Sequence, residues 1–204
     1  MKKVCENWRT ALNNVPFGIH LFPEFEKKAQ LASAEVHRVK TVAEASAVVE
    51  SILTAANVKN IVAVDSPLQQ AANLLPYLAQ KGFTLYTSAA EIAEHAEQSD
   101  CGISTVEFAI AESGSVCMDG MAYESRVVSM LPPLHIAFLP ANRVVAGIQD
   151  AFDLFSHVFD RGYLSFITGP SRTADIERVL TIGCHGPCRF VIIAIEEEIA
   201  GGVE

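Results

Sequence analysis

The chain has 204 residues, half of them hydrophobic, and a formal net charge of −9 at neutral pH. That length buries a full core in one α/β domain, and the acidic balance, with no Lys/Arg stripe interleaved with aromatics, disfavours a nucleic-acid partner. No apolar run approaches the roughly eighteen residues of a membrane span, and Met1-Lys2-Lys3-Val4-Cys5-Glu6-Asn7-Trp8 lacks a hydrophobic signal core, so a cytoplasmic protein without membrane contact is expected.

Residues 1–40 read as a small helical arm ahead of an α/β domain over residues 41–204. Residues 14–23 mix aromatics with helix breakers, which suits packing on the domain or on a second copy, so a homo-oligomer is one outcome. Trp8, Phe17 and Phe22 serve alternatively as a lid. Residues 41–56 carry Val42, Ala45, Val48, Val49, Ile52 and Leu53 at helical intervals, and residues 60–65 form a short continuous apolar strand. Residues 67–80 read as one helix with proline at its start and Gly82 beyond its end. A strand over residues 82–87 and a short acidic helix over 91–98 follow. Residues 102–106 read as a short helical step. Two strand-like runs at 108–111 and 115–118 then flank the turn Glu112-Ser113-Gly114, a hairpin or a strand kink. A helix over 124–130, a central strand over 134–139, a further strand over 143–146 and an amphipathic helix over 148–159 complete the middle. This βαβ rhythm predicts a mostly parallel twisted sheet with helices on both faces.

The most informative stretch follows the apolar run at 164–167. The chain turns through Thr168-Gly169-Pro170-Ser171-Arg172-Thr173 into Ala174-Asp175-Ile176-Glu177, where acidic residues suit a first helical turn and Ser171 or Thr173 suits a cap. A helix N-terminus presents unpaired N–H groups and the positive end of its dipole. With the Arg172 guanidinium and nearby hydroxyls, the pattern points to an anion site. Gly183-Cys184-His185-Gly186-Pro187 closes that helix on a tight turn before the strand at 190–195 and holds a histidine able to move a proton near neutral pH.

These two motifs, together with Ile110-Ala111-Glu112-Ser113-Gly114-Ser115, resemble the LUD domain family, to which lactate-utilization C subunits belong; the likeness runs from about Thr41 to the C-terminus. The segment ahead of Thr41 is shorter than is usual there, and Ser115 stands where threonine is common. The resemblance implies a fold related to the sugar-phosphate isomerase and CoA-transferase superfamily. It also implies a role in the oxidation of L-lactate to pyruvate beside iron–sulfur partner proteins, with no cofactor on this chain.

Site roles are assigned from the residues themselves. Glu112 is the candidate acid, base or nucleophile, His185 the alternative proton carrier, and Asp175 a group that orients His185 or Arg172. Gly169, Ser171, Arg172 and Thr173, with Ser113, Gly114 and Gly186, are expected to cradle a small anionic substrate in one crevice shared by the two turns. Arg126 and His135 are lesser candidates. The cysteines Cys5, Cys101, Cys117, Cys184 and Cys188 are scattered and suggest reduced thiols. Cys184 and Cys188 lack a second ligand pair at zinc spacing, so no metal is expected, and no ferredoxin-type cysteine run is present. Three functions stay open: a lactate-utilization subunit, a free-standing isomerase or acyl-CoA transferase using Glu112, and a non-catalytic anion-binding assembly protein.

Overall fold

The computed structural model describes residues 2–173, 181–183 and 185–198. Asn7 caps α1 (Trp8–Leu12) by accepting from Thr10 N, and a 3-10 turn at Ile19–Leu21 leads into α2 (Phe22–Leu31), where Pro23 fits the first helical turn. After β1 (Glu35–Val39), the Thr41 hydroxyl caps α3 (Val42–Ala55) and β2 (Asn60–Ala63) follows. The single helix expected over 67–80 is two, α4 (Pro67–Ala71) and α5 (Leu74–Gln80), broken where Asn73 adopts a left-handed φ of 49°. Next come β3 (Thr84–Tyr86) and α6 (Ala89–His95), which opens on a Ser88/Glu91 capping box.

Residues expected as a helical step form β4 (Cys101–Thr105). Its residues are almost all buried, so it lacks the alternation that marks a half-exposed strand. The chain continues through β5 (Phe108–Ile110), β6 (Ser115–Asp119), α7 (Tyr123–Met130), β7 (Leu134–Pro140), β8 (Val144–Val145) and α8 (Ile148–Val158). It ends in β9 (Leu164–Ile167), β10 (Arg172–Thr173), β11 (Thr181–Ile182) and β12 (Arg189–Ile195).

A six-stranded sheet in the order β1-β12-β7-β4-β2-β3 has every neighbouring pair parallel. The side-chain period of two splits its strands between two cores. Ile61, Ile103, Ile136, Phe138, Val191 and Ile193 face α3, α4 and α5. On the other face Val62 and Val64 meet α6 and α7, whereas Ala137, Leu139, Ile192 and Ala194 meet α2 and a second sheet. That sheet, β8-β5-β6-β9, pairs β5 antiparallel with β6 and β6 antiparallel with β9. Its far side is covered by α1 and α8 through Trp8, Leu12, Phe108, Val145 and Leu154. Helices therefore lie on both faces of the main sheet, as expected, and on one face a second sheet packs beside them.

The boundary expected at Thr41 falls inside this architecture. β1 is an edge strand paired with β12 from Glu35↔Val191 to Val39↔Ile195, and Trp8, Phe22 and Phe25 lie in the cores. The strand was hidden because Glu35-Val36-His37-Arg38-Val39 carries polar groups that reach outward from an edge, such as Arg38 pairing with Glu196 at 2.6 Å.

Candidate functional site at the carboxyl edge of the parallel sheet

The two glycine-bearing turns do meet, and each packs on the end of α2 or the residue after it. Ser115 Oγ lies 2.6 Å from Thr168 Oγ1, so the 112–115 and 168–173 turns adjoin. Gly114 at φ 68° and Gly169 at φ 70° press on the C-terminal part of α2: a Cβ on the first would overlap the Ala29 backbone nitrogen, and one on the second the Ala32 carbonyl. The exposed Arg172 guanidinium donates to Ala32 O at 2.5 Å and Ser33 Oγ at 2.6 Å. The Arg172 guanidinium is thus engaged by the turn just past α2, a partnership that no local pattern announces. Glu112 accepts from Ile148 N at 3.0 Å, supplying an acceptor at the start of α8. Ser113 donates to Ser115.

The 183–187 turn joins the same cluster. Ser171 N donates to Pro187 O at 2.8 Å, Gly183 N donates to Ser171 O at 2.9 Å, Gly186 packs on Ser171, and His185 is exposed. Because this turn precedes β12, it lies at the amino ends of the parallel strands; Arg189 N donates to Pro133 O just ahead of β7. A parallel course of the strand leading to Arg172 would have opened both turns onto one edge of the main sheet, but β9 is antiparallel and belongs to the second sheet. β10 pairs antiparallel with β11, Arg172↔Ile182 and Thr173↔Thr181, and the helix expected to begin at Ala174 falls outside the described residues. Asp175 and the rest of 174–180, with Cys184, lie outside the described residues.

The lesser candidates tie structure together. His135 Nε2 lies 2.8 Å from Ser104 Oγ, its ring stacks on Phe190, and burial pushes its pKa down to about 3, so it is a neutral imidazole. Arg126 donates to Gly120 O at 2.5 Å and covers the Tyr163 ring.

A cavity of about 430 Å³ opens at the other end of the sheet, past the carboxyl ends of β2, β4, β7 and β12; among the described residues, none of those expected to catalyse or to bind the anion lines it, whereas Phe17, the alternative lid residue, does. Ligands in parallel α/β sheets gather at that edge because loop side chains and backbone groups converge there. Ser66, which caps α4 after β2, lies 2.6 Å from Thr105 Oγ1 at the end of β4. Gln69 Nε2 donates to Thr105 at 3.3 Å, while Gln69 Oε1 is buried without a partner. Glu107 follows β4, Asp119 ends β6, and Arg143 lies between β7 and β8. The N-terminal segment supplies Lys2, Lys3 and Arg9.

Two carboxyl groups dominate the electrostatics. Burial first, and then the Asp119 charge, push the Glu107 pKa up to about 7, while Lys3 and Arg143 pull it the other way. Asp119 Oδ2 accepts from Val4 N at 2.8 Å, Cys5 N at 3.3 Å and Trp8 Nε1 at 3.1 Å, and Oδ1 accepts from Met121 N. That carboxylate therefore latches the N-terminal segment onto the cavity wall. Burial lowers the Arg143 pKa, with Glu107 and Glu198 opposing the shift. At the rim Glu198 pairs with Arg9 at 3.3 Å and accepts from Asn142 at 2.7 Å, and Glu197 accepts from Val42 N. A carboxyl group that burial brings to a pKa of about 7, beside cations on a cavity wall, can take or give a proton while the cations bind an organic anion.

Glu107 follows a strand, β4, that the sequence presents as a helical step, and Asp119 sits one residue past the strand-like run expected at 115–118. Had Cys101-Gly102-Ile103-Ser104-Thr105 been taken as a strand, the carboxylate two residues past its end would have stood at the ligand-binding edge.

The match to known proteins agrees with this fold. The LUD domain model matches residues 22–195, a span that takes in α2 and β1, and the chain belongs to the LUD domain family. It is 30% identical over 156 residues to lactate utilization protein C of Halalkalibacterium halodurans, an alignment covering 73% of this chain and 68% of that protein. It is 35% identical over 112 residues to lactate utilization protein C of Bacillus subtilis, covering 52% of this chain and 47% of the relative, and 35% identical over 109 residues to that of Bacillus velezensis, covering 51% and 45%. The chain thus spans about half the length of the two Bacillus relatives. The crystal structure of a DUF162 family protein from Deinococcus radiodurans superposes with a TM-score of 0.62 at 20% identity, covering 88% of this chain and 99% of that one, a likeness of fold.

Proposed function

We propose that this chain serves lactate utilization, as the names of its relatives suggest, by holding an organic-acid anion in the carboxyl-edge cavity. In this reading it supports the oxidation of L-lactate to pyruvate in the cytoplasm beside iron–sulfur partner proteins, and the redox centres sit on those partners. The observation that carries the reading is Glu107 facing Arg143 and Lys3 inside a cavity of about 430 Å³. A lactate occupies the space of three or four waters, on the order of 100 Å³, so the cavity holds such an acid with room for a larger carrier or a second group. Arg143 and Lys3 offer the carboxylate charge-assisted donors, and Ser66 and Thr105 offer hydroxyls. An acyl-transfer or isomerase reaction on Glu112 finds less support, since the Ile148 N–H already engages that carboxylate.

Titration calorimetry with L-lactate and pyruvate tests the binding, and growth on L-lactate of a deletion strain complemented with Arg143→Ala tests the role. Losing one charge-assisted contact of about 1.5 to 3 kcal/mol weakens binding by roughly ten- to a hundredfold. A variant that binds and complements like the parent protein refutes the reading.

A further inference from the structure

We propose that the cavity takes its anion together with a proton, and that Glu107 is the group that carries this proton. The inference rests on the reading of the cavity as an organic-acid site and adds the charge state in which that site closes on its ligand.

Charged groups from three other segments surround Glu107. Asp119 faces it from β6, Lys3 from the N-terminal segment and Arg143 from the loop between β7 and β8. Cys117 on β6 and Cys5 on the N-terminal segment, whose pKa values burial raises, are the neutral titratable neighbours. Arg9 and Glu198 act one step further out, on Arg143. Lys2, Asp65 and Glu197 line the cavity as well, so its wall carries the carboxyl groups of Asp65, Glu107, Asp119, Glu197 and Glu198 against the four cations Lys2, Lys3, Arg9 and Arg143. An entering monoanion adds to that negative excess, on a wall where burial weakens screening by water.

Only one member of the group is placed to remove that excess. Asp119 accepts from Val4 N, Cys5 N, Trp8 Nε1 and Met121 N, and protonating it would undo the latch that holds the segment bearing Lys3. Glu107 carries no such duty: its backbone N–H donates to Cys117 O at 2.8 Å, which fixes the main chain and leaves the carboxyl group on the cavity wall. Burial has already brought that carboxyl to a pKa of about 7, so a proton is within reach at cellular pH. Once protonated, Glu107 turns from an acceptor into an O–H donor aimed at the ligand's oxygens, while Arg143 and Lys3 keep their charges for its carboxylate.

Calorimetry of L-lactate binding to the full chain at pH 8, in Tris and in HEPES, reads proton uptake directly from the difference in buffer ionisation heat. The expected uptake approaches one proton per site, with affinity falling about tenfold for each pH unit above 7. Glu107→Gln is expected to abolish both the uptake and the pH dependence. Binding by the parent protein without proton exchange overturns this inference and leaves the organic-acid site standing. Uptake that persists in Glu107→Gln overturns the assignment to Glu107. No binding of L-lactate or pyruvate at millimolar concentration overturns the inference and the proposed function together.

Discussion

Removing the ionisable group at position 107 should change the stability of the protein in a pH-dependent way. Glu107 goes from an ordinary value of 4.5 to about 7 on folding, chiefly because burial disfavours its charged form. Between those two pH values the folded chain holds a proton that the unfolded chain has released, so stability falls as pH rises through the window and is flat above it. Each tenfold in proton affinity is worth about 1.4 kcal/mol, which sets the full penalty at about 3 kcal/mol above pH 7, an upper value if the site relaxes around the charge. Glu107→Gln keeps the shape and removes the charge. Urea denaturation of both proteins at pH 5, 6, 7 and 8 should show the variant gaining on the parent with rising pH until the difference levels near pH 7. The comparison must be between the two proteins, because His135 acts in the opposite sense over part of the window. Parallel stability profiles would refute the argument that burial holds this carboxyl group partly protonated.

Three further outcomes follow from the same structure. Asp119→Ala strands the buried indole N–H of Trp8 and releases the N-terminal segment, costing about 2 to 4 kcal/mol; Trp8 is the only tryptophan, so its emission should shift to the red, and an unchanged spectrum and melting point would contradict the latch. Gly114→Ala forces a Cβ onto the Ala29 backbone at φ 68° and should cost about 2 kcal/mol or more, measured by thermal melting, while a loss too small to detect would show that α2 does not press on that turn. Burial lowers the His135 pKa from 6.5 to about 3, so the parent protein loses about 2 kcal/mol through this group on acidification from pH 6.5 to 5, a loss that His135→Gln should not share; equal acid sensitivity in denaturant titrations would place the imidazole in a more polar setting.

The family and most elements were legible along the chain because their causes are local. Val42 through Leu53 repeats at helical spacing, Leu134 through Leu139 is a continuous apolar run, and the turns at 112–115 and 169–173 need glycine where φ is positive. Among the described residues of the motifs that carry the resemblance, Gly114 and Gly169 pack on α2 and the residue after it, and Glu112 accepts from the first N–H of α8. That explains how they identify the fold without lining the cavity.

Partnership across the chain, by contrast, was decided only in three dimensions. Glu35 through Val39 becomes a strand because β12 offers it an edge, and Cys101 through Thr105 becomes one because β2 and β7 flank it. The same assembly brings Lys3, Glu107, Asp119 and Arg143 around one space, and no spacing in the sequence encodes that meeting. Local patterns record what each segment prefers by itself, whereas a pKa near neutrality depends on which charges and how much protein other segments bring alongside.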